Sequence, residues 1–312
     1  MNILVYGAGV LGSHLAHVLY QNGHAVTLLA RGRRLMELRE KGLVIRHWLQ
    51  RKTTSDIVRL TDAYLKDDAY DIVFVVLRRN QLDEVLPALA ANEGDPLIVL
   101  VGNNPDAAGT ERYIQEHSKS RKRVVFAFQT TGGRREDGRV VSIHMGEGKL
   151  TAGSIGGDKS EWELLRQAFA GTRFNVVLRG DMDAWLKSHA AFVLPIAMVC
   201  YAVDGKLRRA ARNKALLNRS IDAMDEAYAM LEACGVPVPP EDVDFVCRQR
   251  RKCYLFLKLM AATPIGRLAA SDHAMNAKDE MRRLYEDFLV FKQKAGIETP
   301  AWDELEIYMP VV

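Results

Sequence analysis

The chain is poor in the features that mark secreted, membrane-spanning and repetitive proteins. Its 312 residues include only four cysteines, none in CxxC spacing. Neither a disulfide framework nor a cysteine metal site is indicated, and we expect reduced thiols in the cytoplasm. The most apolar run, 190–202, is shorter than the roughly 18 residues that span a membrane, and it contains Pro195. We therefore predict a buried core helix there and no membrane partner.

A strong charge of one sign is also missing. Lysine and arginine number 43 against 39 aspartates and glutamates, a formal net charge of +4. This small excess gives little reason to expect nucleic acid as a partner and leaves acidic small molecules as candidates. With 48% hydrophobic and 26% charged residues, the composition is that of a globular protein, and the length favours two domains.

The first residues predict a strand, a glycine-rich turn and a helix. The apolar run 2–6 is followed by Gly7-Ala8-Gly9-Val10-Leu11-Gly12, which has GxGxxG spacing. In such a turn the first glycine allows a tight bend, the second lets the backbone approach a pyrophosphate, and the third lets helix and strand pack closely. The free N–H groups at the helix start, from Val10 to Gly12, would face the anion. The pattern therefore favours a dinucleotide site over a plain βαβ turn.

The end of the second predicted strand, 25–29, distinguishes between two dinucleotides. NAD-binding proteins usually carry a carboxylate there to hold the ribose hydroxyls. This chain has Ala30-Arg31-Gly32-Arg33-Arg34 instead. A guanidinium offers a bidentate, charge-assisted fork to a 2′-phosphate. The alternative is a solvated basic helix start; we favour NADP(H), with Arg31 on the phosphate.

Beyond residue 30 the sequence alternates buried-strand candidates with helical stretches, which predicts a doubly wound, Rossmann-type α/β domain. The further strand candidates are 71–77, 96–102, 123–128 and 174–178. Segments 139–143 and 149–154 are predicted to form an antiparallel hairpin added to this sheet. Their connection contains His144, which we interpret as structural rather than as a ligand contact.

Two polar side chains follow strands of the predicted sheet. Arg78 comes after the strand at 71–77, and Asn103 comes after the strand at 96–102. Ligands of doubly wound sheets bind at the carboxyl ends of the strands. Both residues are therefore candidates for the cofactor site, although Asn103-Asn104-Pro105 is also typical of a turn.

From residue 180 onward every apolar pattern is helical, so Gly180 marks a predicted boundary between an α/β domain, 1–179, and an all-helical domain, 180–312. Helices are predicted at 182–200, 214–234, 240–261 and 276–294. Within the second of these, apolar residues recur at 221, 224, 228 and 231. Their helical spacing indicates either a core or a dimer face.

Together these motifs resemble those of the ketopantoate reductase family. The segments that carry the resemblance are 7–12, 23–31, Asn103, 144–148, 185–187, 279–280 and 296–300, which run the length of the chain. The resemblance implies NADPH-dependent reduction of a 2-oxo acid to a 2-hydroxy acid. In the type reaction, which belongs to pantothenate biosynthesis, ketopantoate becomes pantoate. It also implies a homodimer. No metal-binding residues are predicted from the sequence.

The resemblance implies roles for three residues. Lys187 matches the family lysine that protonates the forming alkoxide, and Glu280 matches a glutamate that binds substrate and positions the site. Asn103 matches an asparagine near the nicotinamide and the catalytic lysine. The chemistry is sound, because an ammonium group both stabilises and protonates the oxygen that becomes negative when hydride attacks a ketone.

The helical half departs from the family pattern just after Lys187. The family has asparagines one and two helical turns further on, where this chain has Ala191 and Pro195. Alignment on the proline that the family tends to have near here moves the register by one residue. It puts Ala190 and Leu194 at the asparagine places and takes Lys187 off its match.

The loss of both asparagines removes hydrogen bonds that would orient a hydroxylated substrate. Two alternatives follow: a divergent paralogue that reduces a different 2-oxo acid, and a catalytically silent NADP-binding sensor. The retained Lys187 and Glu280 favour an enzyme.

Overall fold

The structure is a computed structural model that describes residues 1–156 and 161–311. Its residues separate into two compact units. The N-terminal unit comprises Met1–Gly102 and Ala107–Met182, and the helical unit comprises Asn103–Asp106 and Asp183–Val312. The domain bounds given above, 1–179 and 180–312, stay a prediction. All four cysteines are free thiols.

The strands all belong to the N-terminal unit. They are β1 (Asn2–Tyr6), β2 (Ala25–Leu29), β3 (Leu43–His47), β4 (Lys52–Asp56), β5 (Arg59–Thr61), β6 (Ile72–Val75), β7 (Leu97–Val101), β8 (Arg123–Gln129), β9 (Gly132–Glu136), β10 (Arg139–Ile143), β11 (Lys149–Gly153) and β12 (Asn175–Leu178). The helices of this unit are α1 (Val10–Gln21), α2 (Gly32–Lys41), α3 (Arg79–Ala91), α4 (Ala107–His117) and α5 (Trp162–Ala168).

The main sheet confirms the doubly wound prediction. Its strand order among the described residues is β12-β11-β8-β7-β6-β1-β2-β5. β1 is paired in parallel with β2 on one side and with β6 on the other, so that Ile3 lies between Val26 and Ile72. Later strands are thus added on both sides of β1. β1 therefore marks the switch point at which sheets of this kind bind ligands. Strands β1, β6 and β7 are buried almost throughout, as their continuous apolar sequences predict.

The predicted hairpin of 139–143 with 149–154 is wrong. β10 lies in a second sheet with the order β4-β3-β10-β9, whereas β11 lies in the main sheet beside β8 and β12. Gly146 and Gly148 both have positive φ, at 56° and 114°, and redirect the chain between the two strands. The antiparallel partner of β10 is the arginine-rich β9, whose polar sequence does not indicate a strand.

The helical unit has its own core. Its helices are α6 (Met182–Ala202), α7 (Leu207–Arg212), α8 (Lys214–Ala233), α9 (Pro240–Val243), α10 (Arg250–Ala262), α11 (Pro264–Gly266), α12 (Asp272–Asn276), α13 (Lys278–Ala295) and α14 (Pro300–Glu306). The periodic residues of α8, from Ile221 to Leu231, are buried in this core, so the alternative of a dimer face is not needed for them. The predicted helix at 240–261 is interrupted by a π-helical segment, Asp244–Arg248.

By length and apolar composition, α6 would be able to cross a membrane, as would the pair α10 and α11–α12 if its bend of 84° were ignored. More than half of the most apolar part of α6 is buried inside the protein. Ala191, Leu194 and Met198 are fully enclosed. Burial of this kind is typical of a core helix, in agreement with the sequence prediction.

Candidate cofactor site and active-site residues

The glycine turn between β1 and α1 is built as its spacing predicts. Gly7 has φ 123°, and a Cβ atom there would lie 2.3 Å from the carbonyl oxygen of Val76. A Cβ atom on Gly12 would lie 1.9 Å from the carbonyl oxygen of Gly7. Nothing lies within 4 Å of the Cβ position of Gly9. Two glycines therefore serve the fold, and the third leaves open space beside the start of α1, where the N–H groups of Val10 and Leu11 have no partner within the helix.

Arg34 stabilises the glycine turn through hydrogen bonds. It is 6% exposed and donates from Nε to the carbonyl of Ala8 at 3.2 Å and from Nη2 to Oγ of Ser13 at 3.3 Å. Burial lowers the pKa of Arg34 from its ordinary value, and its ion pair with Glu37 opposes that shift. Arg34 is thus a structural cation of the turn, not one of three arginines facing a phosphate. The run 30–34 contains no acid, and the carboxylate that pairs with Arg33 and Arg34 is that of Glu37, one turn into α2.

Arg31 and Arg33 stay on the surface at the end of β2. Arg31 donates from Nη2 to the Tyr6 hydroxyl at 2.8 Å and from Nε to the carbonyl of Asp62 at 3.1 Å. Its guanidinium also lies over the Tyr6 ring. Its Nη1 makes no hydrogen bond within the described residues. Arg33 is occupied by its ion pair with Glu37 at 2.9 Å. Of the three arginines, Arg31 is therefore both oriented and still able to accept an anion.

The carboxyl ends of β6 and β7 carry the other predicted cofactor residues. Arg78 is exposed and caps the start of α3. After Gly102, which has φ 148°, it is Asn104 that forms the turn, because its Oδ1 accepts the N–H of Asp106 at 3.1 Å. Asn103 is left with a buried Oδ1 that has no hydrogen-bond partner within the described residues. An unpaired buried acceptor is costly, and a ligand donor would satisfy it.

Lys187 lies on α6 one helical turn after Asp183, which sequence reasoning did not single out. Its Nζ donates to Oδ2 of Asp183. The lysine side chain is only 13% exposed and the aspartate side chain 33%. The other carboxylate oxygen of Asp183, Oδ1, is buried without a hydrogen-bond partner within the described residues. The ammonium is thus withdrawn from solvent and held by one carboxylate.

Glu280 lies in the first turn of α13 and is 4% exposed. Its Oε2 is 3.3 Å from Nε2 of His273 but makes no hydrogen bond of good geometry within the described residues. Among those residues Glu280 and Lys187 form no ion pair with each other. Asn103, Lys187 and Glu280 all belong to the helical unit. The unit therefore carries one shielded ammonium, one shielded carboxylate and one unpaired amide oxygen.

The positions where the family has asparagines are apolar and enclosed. Ala191 is fully buried within the core of the helical unit, and Pro195 is buried inside α6. The neighbouring Ala190 and Leu194 are buried as well. No carboxamide replaces the missing pair on this part of α6. The helix face after Lys187 is consequently built for packing.

The comparisons with known proteins agree with this picture. Residues 3–157 match the family model described as ketopantoate reductase PanE/ApbA. A search of curated protein sequences gave no significant match. Among solved structures, the chain is similar to a PanE/ApbA family ketopantoate reductase from Ralstonia eutropha, with 18% identity, a TM-score of 0.76, and coverage of 99% of this chain and 97% of that chain.

Two other solved structures are similar over the same extent. A 2-dehydropantoate 2-reductase from Geobacter metallireducens has 16% identity, a TM-score of 0.75 and coverage of 99% of both chains. D-mandelate dehydrogenase with NADH and anilino(oxo)acetate has 15% identity, a TM-score of 0.76, and coverage of 99% of this chain and 97% of that chain. At these identities the likeness shows the fold.

The residues that match the family model reach from β1 through β11 and include the whole glycine turn. That turn has the backbone geometry of a dinucleotide site, with the Cβ position of Gly9 left open. A nicotinamide cofactor fits both observations. The chain belongs to the ketopantoate reductase family of oxidoreductases, which act on CH–OH groups.

Proposed function

We propose that this protein reduces a 2-oxo acid to the 2-hydroxy acid with NADPH, with ketopantoate as the leading substrate, in the cytoplasm. The observation that carries the proposal is the shielded ammonium of Lys187, paired with Asp183 in the helical unit. An ammonium removed from water interacts more strongly with a developing negative charge than one in bulk solvent. The motifs of the sequence place Lys187 where the family has its proton donor.

The residues of the N-terminal unit fit the cofactor. The N–H groups of Gly9, Val10, Leu11 and Gly12 would hold the pyrophosphate, since Gly9 leaves room for it. Arg78 lies exposed at the adjoining strand end. When bound, reduced nicotinamide would supply the hydride that attacks the carbonyl carbon. The preference for NADPH rests on Arg31, whose free Nη1 is available to a 2′-phosphate.

The side chains of the helical unit would manage the proton and the substrate. As hydride adds to the carbonyl carbon, the π electrons move to the oxygen, and Nζ of Lys187 gives that oxygen a proton. Asp183 fixes the direction of Nζ from one turn earlier in α6. Asn103 would hold the substrate, since a donor would satisfy its unpaired Oδ1. Glu280 would accept a hydrogen bond from a substrate hydroxyl.

A second candidate, reduction of a less hydroxylated 2-oxo acid, is favoured by Ala191 and Pro195. Apolar, enclosed side chains at these positions offer no hydrogen bonds to a hydroxylated chain. The fold is also shared by D-mandelate dehydrogenase, whose solved complex contains anilino(oxo)acetate. For both candidates we expect a small-molecule 2-oxo acid as the partner, a homodimer, and no nucleic acid or membrane.

The proposal is tested by measuring NADPH oxidation with ketopantoate and with a panel of branched and aromatic 2-oxo acids. The key variant is Lys187→Ala, which we expect to lower kcat by roughly 100-fold or more, the usual effect of losing a general acid. The matched control is Lys206→Ala, because Lys206 also pairs with a nearby aspartate but is 59% exposed. Its kcat is expected to stay within twofold of the unchanged protein.

The outcomes separate the three functions. Ketopantoate turnover that collapses only in Lys187→Ala supports the leading proposal. Turnover confined to branched or aromatic acids, with the same dependence on Lys187, supports the divergent paralogue. Tight NADPH binding without reduction of any acid in the panel would remove the enzyme proposal and leave the NADP-binding sensor.

A further inference from the structure

Four of the eight histidines of the chain lie together in the N-terminal unit. They form what we call the histidine cluster: His14 and His17 on α1, His47 at the end of β3, and His144 after β10. His14, His47 and His144 are between 1% and 6% exposed. One nitrogen from each of these three lies within 4.8 Å of the others. The cofactor chemistry proposed above uses none of them.

Hydrogen bonds define the protonation of two rings. Nδ1 of His144 is 2.9 Å from the carbonyl of Gly146, an acceptor only, so Nδ1 carries a proton and Nε2 has a lone pair. That Nε2 is 3.0 Å from Nδ1 of His47, which therefore donates to it. Nε2 of His47 then accepts from the hydroxyl of Thr54 at 2.9 Å. In this arrangement each ring carries one proton and one lone pair, so both rings are in the neutral form.

We propose that His14, His47 and His144 form a binding site for a divalent transition-metal ion of the zinc class. Neutral imidazole is the ligand form that Zn²⁺ takes in proteins. Bond lengths of 2.0–2.1 Å in a tetrahedral site put ligand nitrogens about 3.3 Å apart. The His47–His144 pair, at 3.0 Å, already has nearly this separation, and the nitrogen of His14 lies within 4.8 Å of both.

Binding needs no loss of a proton from the cluster. The proton on Nδ1 of His47 moves to Nε2, where Oγ1 of Thr54 changes from donor to acceptor. Nδ1 of His47 and Nε2 of His144 then both present lone pairs to the ion, which takes the place of the shared proton. Thr54 and the Gly146 carbonyl become the outer hydrogen-bond partners that orient metal-bound histidines in proteins.

Gln129 lies where it can act as the outer hydrogen-bond partner of His14. Its Nε2 is 3.1 Å from Nδ1 of His14, whereas its Oε1 is buried with no hydrogen-bond partner within the described residues. Exchanging the two ends of the amide lets Oε1 accept a proton from Nδ1, which frees the other nitrogen of His14 for an ion. The exchange gives Oε1 a partner, and it moves Nε2, which also donates to Oγ1 of Thr131 at 3.2 Å, to the side where Oε1 has none.

Two carboxylates are placed to balance the charge of the ion. Asp56, 3% exposed, pairs with Nδ1 of His17 at 2.6 Å. The His17 ring lies 5.0 Å from the His47 ring. Glu147 acts electrostatically on His144, and Lys52 opposes Asp56 at His47. The bound ion would join α1 to the second sheet, against which α1 packs.

The test uses tag-free protein treated with a chelator and titrated with Zn²⁺ by calorimetry. We expect one Zn²⁺ per chain and a rise in Tm. The variants His47→Gln and His144→Gln should weaken binding by more than ~100-fold, since losing even an outer partner costs 10–100-fold. The exposed His117→Gln serves as the control and should bind like the unchanged protein.

X-ray absorption on the unchanged protein with Zn²⁺ keeps the test valid if a variant fails to fold. Nitrogen ligands at about 2.0–2.1 Å with the scattering of imidazole support the site. Sulfur ligands would assign the metal to the free cysteines and overturn the proposal. Absence of binding, or equal binding by the cluster variants and His117→Gln, would overturn it as well.

Discussion

The two units of the chain relate to their family in different ways. The N-terminal unit matches the family model from residue 3 to residue 157, and two glycines of its turn are required by close backbone contacts while the third leaves open space. The helical unit lies almost wholly outside the matched residues, and it carries Ala191 and Pro195 where the resemblance implies asparagines. It contains a shielded lysine, Lys187, and a shielded glutamate, Glu280.

The difference reflects what each unit must recognise. A pyrophosphate is bound by backbone N–H groups, and the close approach of backbone to backbone admits glycine alone. A substrate is bound by side chains, and a helix offers many ways of placing a polar or apolar group at one point in space. A cofactor site lined by backbone is therefore constrained residue by residue, whereas a substrate site lined by side chains can vary the surroundings of its reacting groups.

The largest effect we expect comes from a methyl group in the glycine turn. In Gly12→Ala the new Cβ meets the carbonyl oxygen of Gly7 at 1.9 Å, so helix and strand must separate. We expect a loss of about 3 kcal/mol or more in the free energy of unfolding, typical of severe overpacking. Urea unfolding and NADPH fluorescence titration measure the two consequences, destabilisation and loss of binding.

Gly9→Ala is the matched comparison, because its Cβ meets nothing within 4 Å and its φ of −72° suits any residue. We expect stability to change by less than about 1 kcal/mol while NADPH affinity falls. Equal destabilisation by the two substitutions would contradict the division of labour among the glycines.

Sequence reasoning recovered the parts of the fold that have a strong period. The buried strands β1, β6, β7 and β8 and the long helices were predictable, because their apolar residues recur with the spacing of one element. β9 was not, since its sequence Gly-Gly-Arg-Arg-Glu has no buried alternation and is a strand only because β10 pairs with it. The wrong hairpin followed directly from the missing partner.

The candidate site divides in the same way. Glycines act through spacing along the chain and were found, whereas Asp183, Arg34 and Gln129 act through contacts. Asp183 is one turn from Lys187, a spacing that would have suggested the ion pair. The histidine cluster joins α1, β3 and the end of β10, and no local pattern connects residues 14, 47 and 144. The strand that carries His47 on the same face as Ile45, β3, was itself not predicted from the sequence.

The next effect concerns the helical unit alone. Burial lowers the pKa of His189 to about 4, and its ring stacks on Trp185. Above pH 6.5 the ring is neutral in both states. As the pH falls from 6.5 to 4, the unfolded chain takes up a proton that the folded chain refuses, so stability decreases. Between pH 7 and pH 5 we expect the free energy of unfolding of the His189→Gln variant to fall by about 1–2 kcal/mol less than that of the unchanged protein.

Urea unfolding at the two pH values, followed by tryptophan fluorescence, gives the difference directly. The exposed His117→Gln is the control and should keep the full acid dependence. The prediction fails if His189→Gln loses as much stability between pH 7 and pH 5 as the unchanged protein does.

The smallest effect that we expect tests the contrast between recognition by backbone and recognition by side chains. Arg31 is a side chain that would select the cofactor within a unit that otherwise binds it through the backbone. Tyr6 and the carbonyl of Asp62 orient its guanidinium, and its Nη1 is left for a 2′-phosphate. For Arg31→Ala we expect the ratio of kcat/KM for NADPH over NADH to fall roughly tenfold, the worth of one charge-assisted contact. NADH kinetics should hardly change, since NADH carries no phosphate at that position.

Arg33→Ala is the matched control, because Arg33 is just as basic but is 78% exposed and engaged by Glu37. If both variants lower the ratio equally, the preference comes from the general positive field at the end of β2. If only Arg31→Ala does, cofactor choice in this unit depends on a positioned side chain. The choice of cofactor could then change during evolution without any change in the glycine turn, just as side chains that recognise a substrate can change.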